Sequence, residues 1–206
     1  MCGRFYIDDE LSDEMEQAIK EAYQQALRQK EISVGEVLPT QRSFVIVSNT
    51  RKIDTDCISW GYEYSKSKRP IINARRETLL QKPMFCDDFI ERRCLVPARG
   101  FYEWNDEKKK YYFQEQEKHI IYMAGIYTKD TKNRKFTIIT TSSNESVSSY
   151  HDRMPILVED NEMIDWLNDF DKARKILYRT PKKLIAKEEV KQEEYEQIHI
   201  FNTFNL

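Results

Sequence analysis

Three apolar and aromatic runs in the middle of the chain, residues 111–113, 120–127 and 136–141, are set apart by polar segments at 114–118 and 129–135. That spacing reads as strands joined by hairpin connections, a β-meander. Residues 44–47 and the run containing Cys57, Ile58 and Trp60 are β-branched or aromatic and read as two further strands. Before them, Ser12, Asp13 and Glu14 place a capping hydroxyl and acidic residues at the positive end of a helix dipole. Met15, Ala18, Ile19, Ala22, Tyr23, Ala26 and Leu27 then recur at three- and four-residue steps, which predicts an amphipathic helix over about 12–30. Helical signals return at 162–170 and 171–178, and Pro181 stops the second. Strands at the centre and helices at both ends define an α+β fold, with a central mixed or antiparallel, barrel-like sheet flanked by helices.

A chain of 206 residues falls near the usual size of one domain, about 100–200 residues, and no linker is visible, so 1–206 is read as a single domain. Hydrophobic residues at 40% supply a core despite a charged fraction of 33%. No apolar run approaches the roughly 20 residues of a membrane span, and the start MCGRFYIDDE has no leader pattern. A cytoplasmic protein without membrane partners is expected. Cys2, Cys57, Cys86 and Cys94 form no Cys-x-x-Cys pair and have only three histidines to help them. Neither a zinc site nor a disulfide framework is expected, and no metal or cofactor. A net charge of -2 argues against coating nucleic acid by bulk electrostatics but leaves room for a locally basic cleft. Lys108 to Lys110 reads as a solvated hairpin tip.

Four segments combine reactive or cationic residues with turn formers: MCGRF at 1–5, NARRET at 73–78, PARGFYEW at 97–104 and HDRMP at 151–155. Singly, each has a plain structural reading: Cys2 as an accidental penultimate residue, Glu103 as a solvated strand residue, His151 as a loop histidine capping a turn. Position sets Cys2 apart. Once Met1 is removed, Cys2 carries an α-amine of pKa about 7.7–8.0 and a thiol of about 8.5 on adjacent carbons. Such an aminothiol condenses with an aldehyde to a Schiff base, and the thiol then closes a thiazolidine on the same carbon. Dehydration of the carbinolamine needs an acid and a base of pKa near ambient pH, roles suited to His151 and Glu103. The amide of Asn73 can orient the amine or the adduct.

Taken together these segments, with GEVLPTQ at 35–41, WGY at 60–62, CLVPARGFYEW at 94–104, AGIY at 124–127 and HDRMPILV at 151–158, resemble the SOS response-associated peptidase (SRAP) family. The resemblance spans nearly the whole chain. It implies covalent capture of abasic sites in single-stranded DNA by a monomer, with Cys2, Asn73, Glu103 and His151 as catalytic residues. It implies that Glu103 assists sugar-ring opening and amine deprotonation, and that His151 handles protons in Schiff-base formation and in reversal. Phosphate-contacting arginines match Arg4, Arg75 and Arg153, and residues that splay or stack DNA match Pro39 and Trp104. Arg76, Lys66 and Lys68 are candidates to line the same groove.

Two departures stand out. Many relatives carry further tryptophans after the Trp-Gly motif where this chain has Tyr64-Ser65-Lys66-Ser67-Lys68, so Tyr62 and Tyr64 are the available substitutes. Glu36 and Val37 replace a polar asparagine common upstream of Pro39. Within enzymes the rival reading is a cysteine peptidase, acting on the Met1-Cys2 bond or on other proteins, with Cys2 as nucleophile, His151 as base and Glu103 or Asn73 as orienter. Outside enzymes it is a single-stranded-DNA reader that forms no bond.

Overall fold

The computed structural model describes residues 2–65 and 67–189. In chain order the elements are β1 (Arg4–Ile7), α1 (Gln17–Arg28), β2 (Gly35–Val37), β3 (Arg42–Asn49), β4 (Lys52–Trp60), β5 (Tyr62–Tyr64), β6 (Ser67–Ile71) and β7 (Asn73–Arg75). Next come α2 (Arg76–Leu79), α3 (Pro83–Glu91), β8 (Arg93–Ala98), β9 (Gly100–Trp104), β10 (Lys110–Gln114), β11 (Ile121–Tyr127) and β12 (Lys135–Ser142). The remainder are β13 (Arg153–Pro155), β14 (Leu157–Val158), α4 (Met163–Asn168), α5 (Phe170–Tyr178) and β15 (Ile185–Glu188).

The fold is α+β, as the pattern predicts. Its larger sheet runs β13-β12-β4-β3-β8-β11-β14, and β12 also pairs with β11, so the strands from β12 to β11 close a ring. The sheet is mixed, because β12 runs parallel to β4 and β7 and antiparallel to β11 and β13. A smaller antiparallel sheet, β15-β10-β9-β1-β2, lies beside it. Trp60 joins the two: it stacks on Phe136 of β12 at 6.2 Å and tilts against Phe5 of β1 at 5.0 Å.

Three local expectations change. The helix predicted from Ser12 begins instead at Gln17, after a 3-10 turn over Asp9–Glu14 and an extended Met15. Ser12 is buried and its hydroxyl accepts from Gln24 Nε2, so it anchors the turn to α1 rather than capping a solvent-facing helix start. Ile19, Tyr23 and Ala26 form the buried face, and Tyr23 meets Phe44 of β3 edge-on at 5.1 Å.

The meander is also redistributed. Only 129–135 links neighbouring strands, β11 and β12; the segment 114–118 leaves the small sheet for the large one. Phe113 stacks on Phe101 of β9 at 5.2 Å, and that pairing holds β10 in the small sheet. At the true tip between β9 and β10, Lys108 adopts a φ of 63° and is exposed, whereas Lys110 turns inward over the Tyr102 ring to meet Glu36 and Glu189. Finally, α2 and α3 sit mid-chain, where the sequence pattern announced no helix.

Candidate functional site

Glu103 is placed by strand pairing. In β9, Arg4 lies opposite Tyr102 on one side, and Tyr111 opposite Glu103 on the other. The strand begins at Gly100, where any Cβ would meet the Phe113 carbonyl oxygen and the Tyr112 ring, so only glycine lets β10 approach this closely. The residues before Arg4 continue from β1, and Cys2 is fully buried there. Its thiol donates a long hydrogen bond to the Arg4 carbonyl at 3.8 Å. Asn73 opens β7, which is held parallel to β12 with Asn73 opposite Ile138. Its Nδ2 donates to the Cys2 carbonyl at 2.8 Å, while its Oδ1 is buried with no partner among the described residues.

His151 ends the turn that leads into β13, and its backbone N–H donates to the Val147 carbonyl. Its Nε2 stands 3.7 Å from Glu103 Oε2. Its Nδ1 accepts the backbone N–H of Arg153 at 2.9 Å and has Asp152 Oδ1 3.0 Å away. The Glu103 side chain is 3% exposed, so the carboxyl belongs to the protein interior and not to a solvated strand face. Burial pushes it up from the ordinary carboxylate value to about 7. Burial likewise holds His151 below the usual imidazole range and raises the Cys2 thiol well above its usual value, with the Glu103 charge adding to the latter. A carboxyl poised near neutral pH and an imidazole held below its usual range thus accompany a thiol whose pKa is raised.

The other candidate residues are placed unevenly. The Arg4 guanidinium lies 5.3 Å over the Trp104 ring and pairs with Glu36 at 2.9 Å. Arg75 is exposed at the end of β7. Arg153 is buried, and its guanidinium is bidentate on Glu77 at 2.9 and 3.0 Å with a further bond to the Thr140 carbonyl at 2.8 Å. Pro39 is half-buried in the turn between β2 and β3, which the Gln41 side chain closes by accepting the Leu38 N–H at 2.7 Å. Arg76 covers the Tyr178 ring, Lys68 is exposed beside Tyr64, and Lys66 and Met1 lie outside the described residues. Glu77 and Thr140 were not singled out by sequence reasoning, because only the fold, which sets α2 and β12 against Arg153, reveals what its guanidinium meets.

The four cysteines are free thiols, and the described residues contain no cluster of His, Cys, Asp and Glu that could hold a metal ion. Among them no helix is long and apolar enough to cross a membrane.

The chain belongs to the SOS response associated peptidase (SRAP) family, which it matches over residues 1–196. It is 34% identical over 183 residues to the abasic site processing protein YoqW of Bacillus subtilis, covering 82% of this chain and 80% of that one. It is 24% identical over 177 residues to the abasic site processing protein YedK of Escherichia coli, covering 81% and 79%. A crystal structure of a Bacteroides thetaiotaomicron protein has the same fold, with a TM-score of 0.70, 24% identity and coverage of 95% and 94%.

Proposed function

We propose that this chain processes abasic sites in single-stranded DNA by forming a thiazolidine through Cys2, and that residues 1–206 act as one unit and as a monomer. The names of the relatives support the lesion. The single observation that supports the chemistry is the chain of contacts in which Asn73 bonds the Cys2 carbonyl, the Glu103 charge acts on the Cys2 thiol and His151 stands 3.7 Å from Glu103.

In this reading Met1 is removed first and frees the Cys2 amine. Glu103, poised near pH 7, assists opening of the deoxyribose to its aldehyde and takes a proton from the ammonium. The amine adds to C1′ and passes one proton to the aldehyde oxygen; the carbinolamine hydroxyl then leaves as water with the proton that Glu103 took from the ammonium, handed on through His151, and this leaves the protonated imine and a Glu103 carboxylate. The Cys2 sulfur adds to C1′ as the thiol proton passes to that carboxylate, and the nitrogen keeps its N–H as the ring amine. Amine, aldehyde and thiol combine with loss of one water, so no oxidant and no cofactor is consumed. Asn73 holds the Cys2 carbonyl and so fixes the direction of amine and thiol. Arg75 and Arg4 contact phosphates, whereas the Arg153 guanidinium is taken up by Glu77 and Thr140, and Trp104 and Pro39 shape the DNA beside the lesion.

General cysteine proteolysis fits less well. A peptidase nucleophile is a thiolate kept by a nearby imidazolium, and burial here drives the thiol the other way. Incubating Met1-free protein with abasic and intact oligonucleotides, followed by denaturing gels, decides the matter. Adduct on abasic DNA alone, absent for Cys2→Ala, is the expected outcome. Equal non-covalent retention of both DNAs by both proteins leaves only a reader of single strands, and peptide cleavage without adduct leaves a peptidase.

A further inference from the structure

Two of the described groups that reach His151 Nδ1 ask for opposite things. The Arg153 backbone N–H can only donate, so it requires a lone pair at Nδ1 and leaves the neutral ring's proton on Nε2, facing Glu103. The Asp152 carboxylate, 3.0 Å away and 83% exposed, can only accept and so favours a proton on Nδ1. Which partner wins depends on how firmly the Arg153 backbone is held.

That backbone is held from its side chain as well as from its strand. β13 pairs with β12, with Ser142 opposite Arg153, and the Arg153 guanidinium bonds the carbonyl and hydroxyl of Thr140 on the same strand. Its other contacts are the two Glu77 oxygens. Glu77 lies in α2, directly after the strand that carries Asn73, and its carboxyl is held below the usual range first by its hydrogen bonds to Arg153. A bidentate pair fixes a planar guanidinium in orientation as well as position.

We infer that Glu77 is a positioning residue: through Arg153 it holds His151 in the Nε2–H tautomer against the pull of Asp152, and ties the His151 turn to the segment bearing Asn73. The inference rests on the proposed role of His151 for its kinetic consequence but not for its structural one. Loss of the pair lets the Arg153 backbone relax and hands Nδ1 to Asp152. The Nε2 lone pair then faces Glu103, and the proton needed on that side of the ring is misplaced.

The test uses Glu77→Gln and Glu77→Asp in the full chain. Long-range ¹H–¹⁵N spectra of histidine-labelled protein, above the pH at which His151 titrates, read the tautomer directly. Wild type shows the Nε2–H form; Glu77→Gln moves the His151 nitrogens toward the Nδ1–H form, and Glu77→Asp, which keeps the charge, stays closer to wild type. In single-turnover crosslinking to an abasic oligonucleotide, Glu77→Gln lowers the limiting rate by about ten- to a hundredfold, the range seen when an outer partner that orients a working histidine is removed. The DNA concentration for half-maximal rate stays within about twofold. Unchanged His151 nitrogens in a folded Glu77→Gln protein overturn the inference. A rate lost through weaker DNA binding alone overturns it too, in favour of a phosphate-site role. Absence of any adduct from wild type defeats the proposed function, while the spectra still decide the role of Glu77.

Discussion

Arg153 and Glu77 face each other in a bidentate ion pair, Nη1 at 2.9 Å and Nη2 at 3.0 Å from the two carboxylate oxygens. The pair joins α2 to β13, and so the segment that begins at Asn73 to the segment that begins at His151. Arg153 has a side chain only 10% exposed and Glu77 one 43% exposed, so solvent screens one end of the interaction. A double-mutant cycle of Glu77→Gln and Arg153→Met, read by urea unfolding, is expected to give a coupling of about 1–2 kcal/mol, above the roughly 0–1 kcal/mol of exposed pairs. Additive effects within about 0.3 kcal/mol mean that the pair is no more than a surface contact.

Replacement of Cys2 by serine separates the two bonds of the proposed adduct. Cys2→Ser keeps an amine next to a nucleophile, so an imine still forms, but oxygen closes a less persistent ring. Heating in denaturant is expected to strip DNA from Cys2→Ser and leave it on wild type. Equal denaturant-resistant adduct from both proteins excludes a thiazolidine.

Much of this site was legible because its chemistry is local in sequence. Cys2 beside Met1, and the turn formers around Asn73, Gly100 and His151, can be read without a fold. What brings them together cannot: β1 meets β9 and β7 meets β12 through long-range pairings such as Arg4 with Tyr102 and Asn73 with Ile138. The same distance hid the fate of β10, whose aromatic alternation fits either sheet until Phe101 claims Phe113. Ser12 misled because a buried serine and a capping serine look alike in sequence. Glu103 was legible as an acid but not as a buried one, and burial is what brings it near pH 7.

The pH dependence of stability follows from Glu103. Its folded pKa of about 7 lies above the ordinary 4.5, so between those values the folded state binds more protons than the unfolded. Stability from this group is therefore full below about pH 4.5 and is lost as pH rises through about 7. A shift of this size is worth roughly 2–4 kcal/mol. Glu103→Gln lacks the carboxylate and is expected to gain on wild type between pH 5 and pH 8 in urea melts. Parallel pH profiles for the two proteins would falsify a raised Glu103 pKa.

Salt dependence tests the proposed DNA path. Arg75 is exposed, so Arg75→Ala is expected to weaken single-strand binding and shrink the salt slope by about 0.7, one phosphate contact. Arg4 is already occupied by Glu36 at 2.9 Å, a carboxylate that Lys110 also holds. Glu36→Gln frees Arg4 and is expected to tighten binding at low salt and steepen the slope by a similar amount. Slopes unchanged in both variants place the phosphates elsewhere on the surface.

The acid and base are tested by their direction of failure. Glu103 and His151 stand 3.7 Å apart, with burial raising the first to about 7 and holding the second below its usual range. Glu103→Gln removes the group proposed to open the sugar and deprotonate the amine, and crosslinking is expected to slow by roughly 10²–10⁴-fold with single-strand affinity nearly intact. His151→Ala slows formation as well, but it also removes the proton donor for ring opening of the finished adduct, so crosslinks made by this variant persist longer against excess competitor DNA. If His151 only shapes its turn, His151→Ala lowers the melting temperature and leaves both rates alone. Time courses of formation and release, on variants first shown to be folded and to bind single-stranded DNA, measure the difference. Wild-type rates in both directions remove the pair from the mechanism and leave Cys2 acting with Asn73 alone.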